Sequence, residues 1–206
     1  ASQTTELARV GETWVVKSLW NYPADFRIMS ENVRRLAEVE GLPVRGMLVR
    51  LTEGWREVLL RREKADDVFP APVRNLLGEM AAAATLMQAN IKFNGSLILQ
   101  VFGDGPVKLA VAQVQPDLAF RVTAKVVGEV RPEDRLEAML NLHGQGRCMI
   151  TLDPKDRHPG QQPYQGIVPL HGDVREPLQN LSEVLEHYML QSEQLDTKLI
   201  LAANDQ

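Results

Sequence analysis

Cysteine is nearly absent from this sequence, which contains Cys148 alone among 206 residues. One cysteine forms no internal disulfide, and it cannot supply the two or more thiolates of a zinc–thiolate site. A chain without disulfides is typical of a reducing compartment, so we expect a cytoplasmic protein. Because a chain of this length buries roughly 70% of the surface of its unfolded form, its hydrophobic core can stabilise the fold without cross-links.

Long apolar runs and an excess of basic residues are also missing. The longest nearly apolar run, Met80 to Met87, is far too short to span a bilayer, and charges at Glu6 and Arg9 interrupt the region where a signal peptide would be apolar. The 23 Lys and Arg residues are outnumbered by 27 Asp and Glu residues, whereas nucleic-acid-binding proteins usually carry a basic excess. We therefore expect a soluble protein that binds neither membranes nor nucleic acid.

One long helix is predicted from an apolar stripe spaced alternately by four and three residues. Its members are Val73, Leu77, Met80, Ala84, Met87 and Ile91. Small side chains at residues 81–84 would let another element approach closely. The pattern predicts a central Ala-, Met- and Leu-rich core helix.

After residue 95 the apolar period changes from 3.6 to 2, which is typical of half-buried antiparallel strands. Shorter helices are predicted from Glu53 after a Thr52 cap, over 136–142, and after a capping box at Asp173 and Glu176. Strands are predicted at 44–51, 97–102, 107–114, 120–126, 148–152, 165–170 and 197–202. The fold class predicted is α+β, a mainly antiparallel sheet packed against helices.

The residues that could carry chemistry form no catalytic constellation. The turn Gly103-Asp104-Gly105 lacks a third glycine and is followed by a strand pattern, so it predicts a hairpin rather than a phosphate-binding loop. Cys148 could be a nucleophile with His143 or His158 as its base, although a buried, inert cysteine is the favoured interpretation. No two of the four histidines have the i, i+4 spacing of metal ligands, and no metal or cofactor is predicted in this chain.

A series of short motifs resembles a known family. They are Val44-Arg45-Gly46; Lys92-Phe93-x-Gly95 with Leu97, Leu99 and Gln100; Gly103-Asp104-Gly105-Pro106; Tyr164-Gln165-Gly166 with Gly172-Asp173; and Tyr188-x-x-x-Ser192-Glu193-Gln194-x-x-Thr197. In this order and spacing, from about Asn32 to Leu201, the chain resembles the N-terminal domain of the redox-regulated heat-shock chaperones of the 33-kilodalton class, which are bacterial holdases.

The resemblance implies an ATP-independent chaperone that binds unfolding or oxidatively damaged proteins and prevents their aggregation. In such proteins a C-terminal module holds zinc through four cysteines, and oxidation forms disulfides, releases zinc and favours a dimer. Those cysteines are absent here. We therefore expect residues 31–206 to be the holdase domain without its last strand, linker and zinc module, so that this chain itself has no redox switch.

Residues 1–30 match nothing in that family and are interpreted as an N-terminal extension. They contain four of the eleven aromatic residues, and a short strand or helix is predicted around 12–19. Their apolar side chains make Trp14, Trp20, Phe26 and Met29 the candidates for client contact. Two alternatives stay open beside a homodimeric holdase: an enzyme with Cys148 as nucleophile, and a module whose Leu- and Met-rich helices serve dimerisation.

Overall fold

The computed structural model describes residues 7–10, 13–16, 46–156, 158 and 160–204. The chain divides into two compact units, residues 1–48 and 49–206. In the first unit, β1 (Leu7–Val10) and β2 (Thr13–Val16) form an antiparallel pair in which Arg9 lies opposite Trp14. The described part of the element predicted around residues 12–19, residues 13–16, is therefore a strand.

The second unit contains a five-stranded antiparallel sheet with the order β5-β4-β3-β6-β7. Its strands are β3 (Gly95–Phe102), β4 (Val107–Val114), β5 (Phe120–Val126), β6 (Arg147–Pro154) and β7 (Tyr164–Pro169). All five were predicted from the sequence, and the strict alternation in β5 arises because successive side chains point to opposite faces of a sheet. With the helices described next, the sheet confirms the predicted α+β class.

Four helices accompany this sheet in the described part of the chain: α1 (Glu53–Lys64), α2 (Ala71–Asn90), α3 (Leu136–Leu140) and α4 (Leu181–Glu193). Helix α2 packs across β3, β4 and β5, while α4 packs against β7. Helix α1 begins at Glu53 as predicted, but the side chain of Thr52 forms no capping hydrogen bond. The first turn of α1 is instead stabilised by burial of Trp55 in the core.

Helix α2 is the predicted core helix. Val73, Leu77, Met80 and Ala84 are buried, as the stripe requires, and Leu76, Ala81 and Ala83 are buried as well. The buried surface is wider than one stripe because the chain after α4 returns across the helix. At Gly78 an added Cβ would lie 2.6 Å from the Cβ of Ala203. Another element thus approaches α2 closely at Gly78, and Ala81, Ala83 and Ala84 are buried as well.

The chain after α4, residues 195–204, is called here the C-terminal segment. The strand predicted at 197–202 is wrong: within the described residues this segment forms no strand and has no strand partner. Thr197, Leu199, Leu201 and Ala203 are half-buried and alternate with exposed residues, which explains the strand-like pattern. A strand also needs a neighbour to complete its hydrogen bonds. The described part of the predicted strand at 44–51, residues 46–51, likewise has no such neighbour.

The capping box predicted for the last helix is displaced along the chain. Helix α4 begins at Leu181, and Asn180 is its N-cap: its side-chain oxygen accepts a hydrogen bond from the backbone N–H of Glu183 at 3.0 Å. The Asn180 amide in turn donates to the Glu183 carboxylate at 3.1 Å. Asp173 and Glu176 lie in a loop, where the Glu176 carboxylate accepts from the N–H of Val174. The motif has the predicted chemistry at another position.

Candidate client-binding surface

One face of the sheet carries partly accessible apolar side chains. On β3 the core-facing residues Leu97, Leu99 and Val101 are fully buried, whereas Ile98, Gln100 and Phe102 point the other way and are only partly covered. The strand registers extend this second face across the sheet. We call it the open face: Ile98, Gln100, Phe102, Leu109, Val111, Gln113, Arg121, Thr123, Lys125, Arg147, Met149, Thr151, Gln165 and Ile167.

The apolar residues of the open face are neighbours in space. Met149 lies directly opposite Ile167, Leu109 lies directly opposite Phe102 in the next row, and Gln100 lies between Val111 and Met149. Opposed residues on adjacent strands have Cβ atoms about 5 Å apart, and diagonal neighbours such as Phe102 and Met149 are about 7–8 Å apart, so the apolar side chains form one patch around Gln100. Phe102 is 40% exposed and Ile167 is 56% exposed, so the patch is accessible to a partner.

Four polar side chains of the open face, those of Gln113, Arg121, Thr151 and Gln165, share the row of Ile98 at the end of the sheet away from Phe102, and several of them bond to one another. Arg121 Nε donates to Gln113 Oε1 at 2.7 Å, and Gln165 Nε2 donates to Thr151 Oγ1 at 3.3 Å. Each of these bonds pairs one donor with one acceptor within the sheet. The arrangement is an apolar patch with a polar border, which is typical of a binding surface.

An open cavity of about 350 Å³ beside α1 is a second concave surface. Trp55, Val58 and Phe69 line it, and the guanidinium of Arg62 lies 4.2 Å from the centroid of the Phe69 ring. Arg62 also bonds to Asp67 and, at 2.9 Å, to Thr123 Oγ1. Because Arg62 already has three partners, this cavity offers fewer groups for recognition than the open face.

Cys148 lies on the core-facing side of β6, opposite Val101 and Val168, and is 0% exposed. Burial raises the pKa of its thiol to about 12. Its predicted burial is thus confirmed, and a thiol that is protonated and inaccessible at neutral pH is a poor nucleophile. His143 and His158, its candidate bases, are exposed. The structure therefore gives no support to a cysteine-dependent enzyme.

The glycine-rich turn connects β3 to β4 as a hairpin, as predicted. An added Cβ at Gly105 would lie 2.5 Å from the backbone oxygen of Met139, so a side chain there would collide with α3. The Asp104 carboxylate accepts hydrogen bonds from the N–H groups of His143 at 3.0 Å and Gln145 at 2.8 Å. The turn thus anchors the loop after α3, and its carboxylate faces donors of this chain rather than a phosphate.

The histidines have separate surroundings. His171 Nδ1 lies 2.9 Å from the backbone oxygen of Gly172, and His187 Nε2 lies 4.0 Å from the Asp173 carboxylate. Among the described residues no three His, Cys, Asp or Glu side chains are grouped as metal ligands. The residues present therefore do not fit a zinc site. No helix in the described ranges is long and apolar enough to cross a membrane.

The client-contact residues predicted from the sequence are not tested by this structure. Trp14 lies in β2, opposite Arg9, and Trp20, Phe26 and Met29 lie outside the described residues. Sequence reasoning missed the open face, although a signal was present. In β3 the strand Leu97-Ile98-Leu99 is apolar on both faces, whereas a strand with one solvent-exposed face should alternate with polar residues.

Comparison with known proteins gives one consistent result. Residues 35–206 match the model of a protein family described as Hsp33 protein. A 33 kDa chaperonin of Chromobacterium violaceum is 46% identical over 168 residues, covering 81% of this chain and 51% of that protein. A 33 kDa chaperonin of Methylobacillus flagellatus is 40% identical over 166 residues, covering 80% of this chain and 50% of that protein. The chain thus spans about half the length of the curated relatives it matches.

A solved structure has the same fold. The crystal structure of the 33 kDa chaperonin (heat shock protein 33 homolog) from Thermotoga maritima superimposes with a TM-score of 0.53 at 21% identity, covering 69% of this chain and 46% of that one. At this identity the likeness concerns the fold alone, and it agrees with the α+β architecture described above.

Proposed function

Because the chain belongs to the Hsp33 family of heat-shock chaperones, we propose that it is an ATP-independent holdase whose open face binds unfolding or oxidatively damaged proteins and prevents their aggregation. The observation that carries this proposal is the accessible apolar patch around Phe102 and Ile167. An unfolding protein exposes apolar side chains, and covering them on this patch removes apolar surface from water on both partners.

The binding strength expected of this patch suits a holdase. Covering an exposed Phe or Ile side chain fully contributes about 1.5–3 kcal/mol, and ordering a client segment costs part of that. Binding of a single segment is therefore weak and reversible. A holdase needs this property, because a client must be released without nucleotide hydrolysis. Weak contacts suffice against aggregation when one client exposes several apolar segments.

The test is light scattering of a thermally unfolding client mixed with an equal molar amount of this chain, without nucleotide. We expect the wild-type chain to suppress scattering and Phe102→Ser/Ile167→Ser to lose most of the suppression. The matched control is Val174→Ser/Leu190→Ser, which removes two exposed apolar side chains outside the open face. Equal suppression by both double variants would contradict the open face as the binding site. Circular dichroism confirms that each variant is folded.

The proposal includes redox regulation by a separate C-terminal module that holds zinc through cysteines and forms disulfides on oxidation. It is supported by the family membership and by relatives about twice the matched length. No step of client binding by this chain depends on zinc. We therefore expect the same suppression of scattering under reducing and oxidising conditions. Absence of suppression in both would mean that client binding needs residues outside this chain.

We also propose that the protein is a cytoplasmic homodimer and not an enzyme. The buried thiol of Cys148 supports the last point, and the single cysteine is consistent with a reducing compartment. Within the described residues the C-terminal segment forms no strand ladder, which is compatible with its pairing to a second copy. Sedimentation equilibrium tests the dimer, and a concentration-independent monomer would rule it out. A dimer without any effect on client scattering would favour a dimerisation module instead.

A further inference from the structure

Two cationic side chains lie in one row of the open face with apolar residues between them. The register across β5, β4, β3 and β6 aligns Lys125, Leu109, Phe102 and Arg147. Lys125 and Arg147 are both exposed. Among the described residues neither takes part in an ion pair. The row therefore presents one unneutralised cation on each side of an apolar pair.

The local charge is opposite to that of the chain as a whole, which has a net charge of −4. The nearest carboxylate in the β3–β4 turn, that of Asp104, is occupied by two backbone N–H groups. Asp153 is the one acidic residue on the same side of the sheet strands. It lies at the end of β6 away from Arg147 and pairs with Ser96 of β3. The charged side chains that the open face carries in the row of Phe102, those of Lys125 and Arg147, are therefore both cationic.

The spacing of the two cations corresponds to an extended peptide. Three inter-strand intervals separate Lys125 from Arg147, which is about 14 Å. In an extended chain, residues i, i+2 and i+4 point to the same side, and residues i and i+4 are about 13 Å apart. A segment crossing the strands at this row would place residue i at Lys125, residue i+2 between Leu109 and Phe102, and residue i+4 at Arg147.

We infer that the open face preferentially binds extended client segments with an acidic residue, an apolar residue two positions later and a second acidic residue two positions after that. This inference rests on the proposed function and names the client chemistry of the same surface. The apolar side chain contacts Leu109 and Phe102, and the two carboxylates pair with Lys125 and Arg147. Basic residues at the two outer positions are disfavoured, because they would face like charges.

The test uses fluorescence anisotropy with dye-labelled peptides that have Leu at every second position of both flanks. Their central residues are Glu-Thr-Leu-Thr-Glu, Gln-Thr-Leu-Thr-Gln or Lys-Thr-Leu-Thr-Lys. We expect the Glu peptide to bind about three- to tenfold more tightly than the Gln peptide, as two exposed ion pairs would give. The Lys peptide binds most weakly, and the differences vanish at about 0.5 M salt because exposed pairs are screened.

The decisive variant is Lys125→Glu/Arg147→Glu, which should reverse the order so that the Lys peptide binds most tightly. Lys92→Glu/Lys155→Glu changes the net charge equally at exposed positions beyond the other end of β3 and β6, and it should keep the wild-type order. Reversal of the order in both variants would overturn the inference, because long-range charge alone would then explain the preference. The wild-type order in both variants would overturn it as well, because Lys125 and Arg147 would then not select the peptide.

The outcomes separate this inference from the function on which it rests. Equal affinity of wild-type chain for all three peptides, together with loss of binding in Phe102→Ser/Ile167→Ser, would overturn the charge selection and leave the client-binding patch intact. If the Gln peptide binds Phe102→Ser/Ile167→Ser as well as it binds wild type, the open face itself is not the site and both proposals fail.

Discussion

The indole Nε1 of Trp55 donates a hydrogen bond to the backbone oxygen of Asn204 at 3.0 Å. This bond joins the first turn of α1 to the end of the C-terminal segment, 149 residues later. At the middle of the segment, the N–H of Leu199 donates to the Glu186 carboxylate of α4 at 2.7 Å. The segment is thus held by side chains at its middle and at its end, although it has no strand partner in the described part of the chain.

Gly78→Ala tests how closely the C-terminal segment approaches α2. Alanine would normally stabilise a helix interior by about 1 kcal/mol relative to glycine. Here its Cβ would lie 2.6 Å from that of Ala203, so we expect Gly78→Ala to lower the free energy of unfolding by about 1–2 kcal/mol. The measurement is urea denaturation followed by tryptophan fluorescence.

The matched control for that prediction is the double variant Gly78→Ala/Ala203→Gly, which removes the opposing methyl group. We expect it to recover most of the lost stability, because the collision is with this side chain. A single variant that is more stable than wild type would show that the segment moves aside at little cost.

Gly166→Ala tests the packing of β7 against α4. The Tyr188 side chain is 1% exposed, and an added Cβ at Gly166 would lie 2.6 Å from Cε2 of its ring. Tyr188 cannot shift easily, because its hydroxyl and that of Tyr164 both donate to Glu193 Oε1, at 3.1 and 2.9 Å. We expect a loss of about 2–3 kcal/mol in the free energy of unfolding. Gln165→Ala, at the exposed neighbour, should change it by less than about 0.5 kcal/mol.

Labelling by a thiol reagent at neutral pH tests the state of Cys148. The thiol is inaccessible and its pKa is raised to about 12 by burial, so the folded chain should react only as fast as it unfolds. Denaturant should give stoichiometric labelling at once. Rapid labelling of the folded chain would instead revive the nucleophile hypothesis.

The raised pKa of the Cys148 thiol also predicts how the free energy of unfolding changes at alkaline pH. The pKa of Cys148 rises from an ordinary value of 9.0 to about 12 in the folded chain, so above pH 9.0 the unfolded chain has lost a proton that the folded chain keeps. The contribution of the Cys148 thiol to the free energy of unfolding is fully present below pH 9.0, the pKa of the thiol in the unfolded chain. It is lost as the pH rises from 9.0 towards 12. The expected loss is about 1.4 kcal/mol per pH unit.

Cys148→Ala isolates this contribution in urea denaturation at several pH values above 9. The variant should keep the alkaline loss due to other groups, including Tyr188, whose hydroxyl pKa is also raised by burial. It should lack the part due to the thiol, so that its stability falls less steeply than that of wild type. Parallel curves for the two proteins would be inconsistent with a buried, protonated thiol.

Much of the fold was predictable because strands and helices depend on residues that are close together in the sequence. The sequence pattern predicted all five strands of the sheet, although only β5 alternates strictly, and the period of 3.6 predicted α2. The errors also share a physical cause. The C-terminal segment alternates as a strand does, but alternation reports half-burial and not the presence of a hydrogen-bonded neighbour. The capping chemistry at Asp173 was matched equally well by Asn180, and only the packing of Leu181 in the core distinguishes the two positions.

By itself the amino-acid sequence determined the five strands of the sheet, the core helix α2, the family resemblance and the burial expected of Cys148, since each depends on residue types and their spacing along the chain. The tertiary structure decided which side of the sheet the helices cover, and therefore that Phe102 and Ile167 remain accessible. It also decided that Lys125 and Arg147 share one row. Such an alignment depends on the register of strands distant in sequence, and a shift of one residue would turn each side chain to the opposite face.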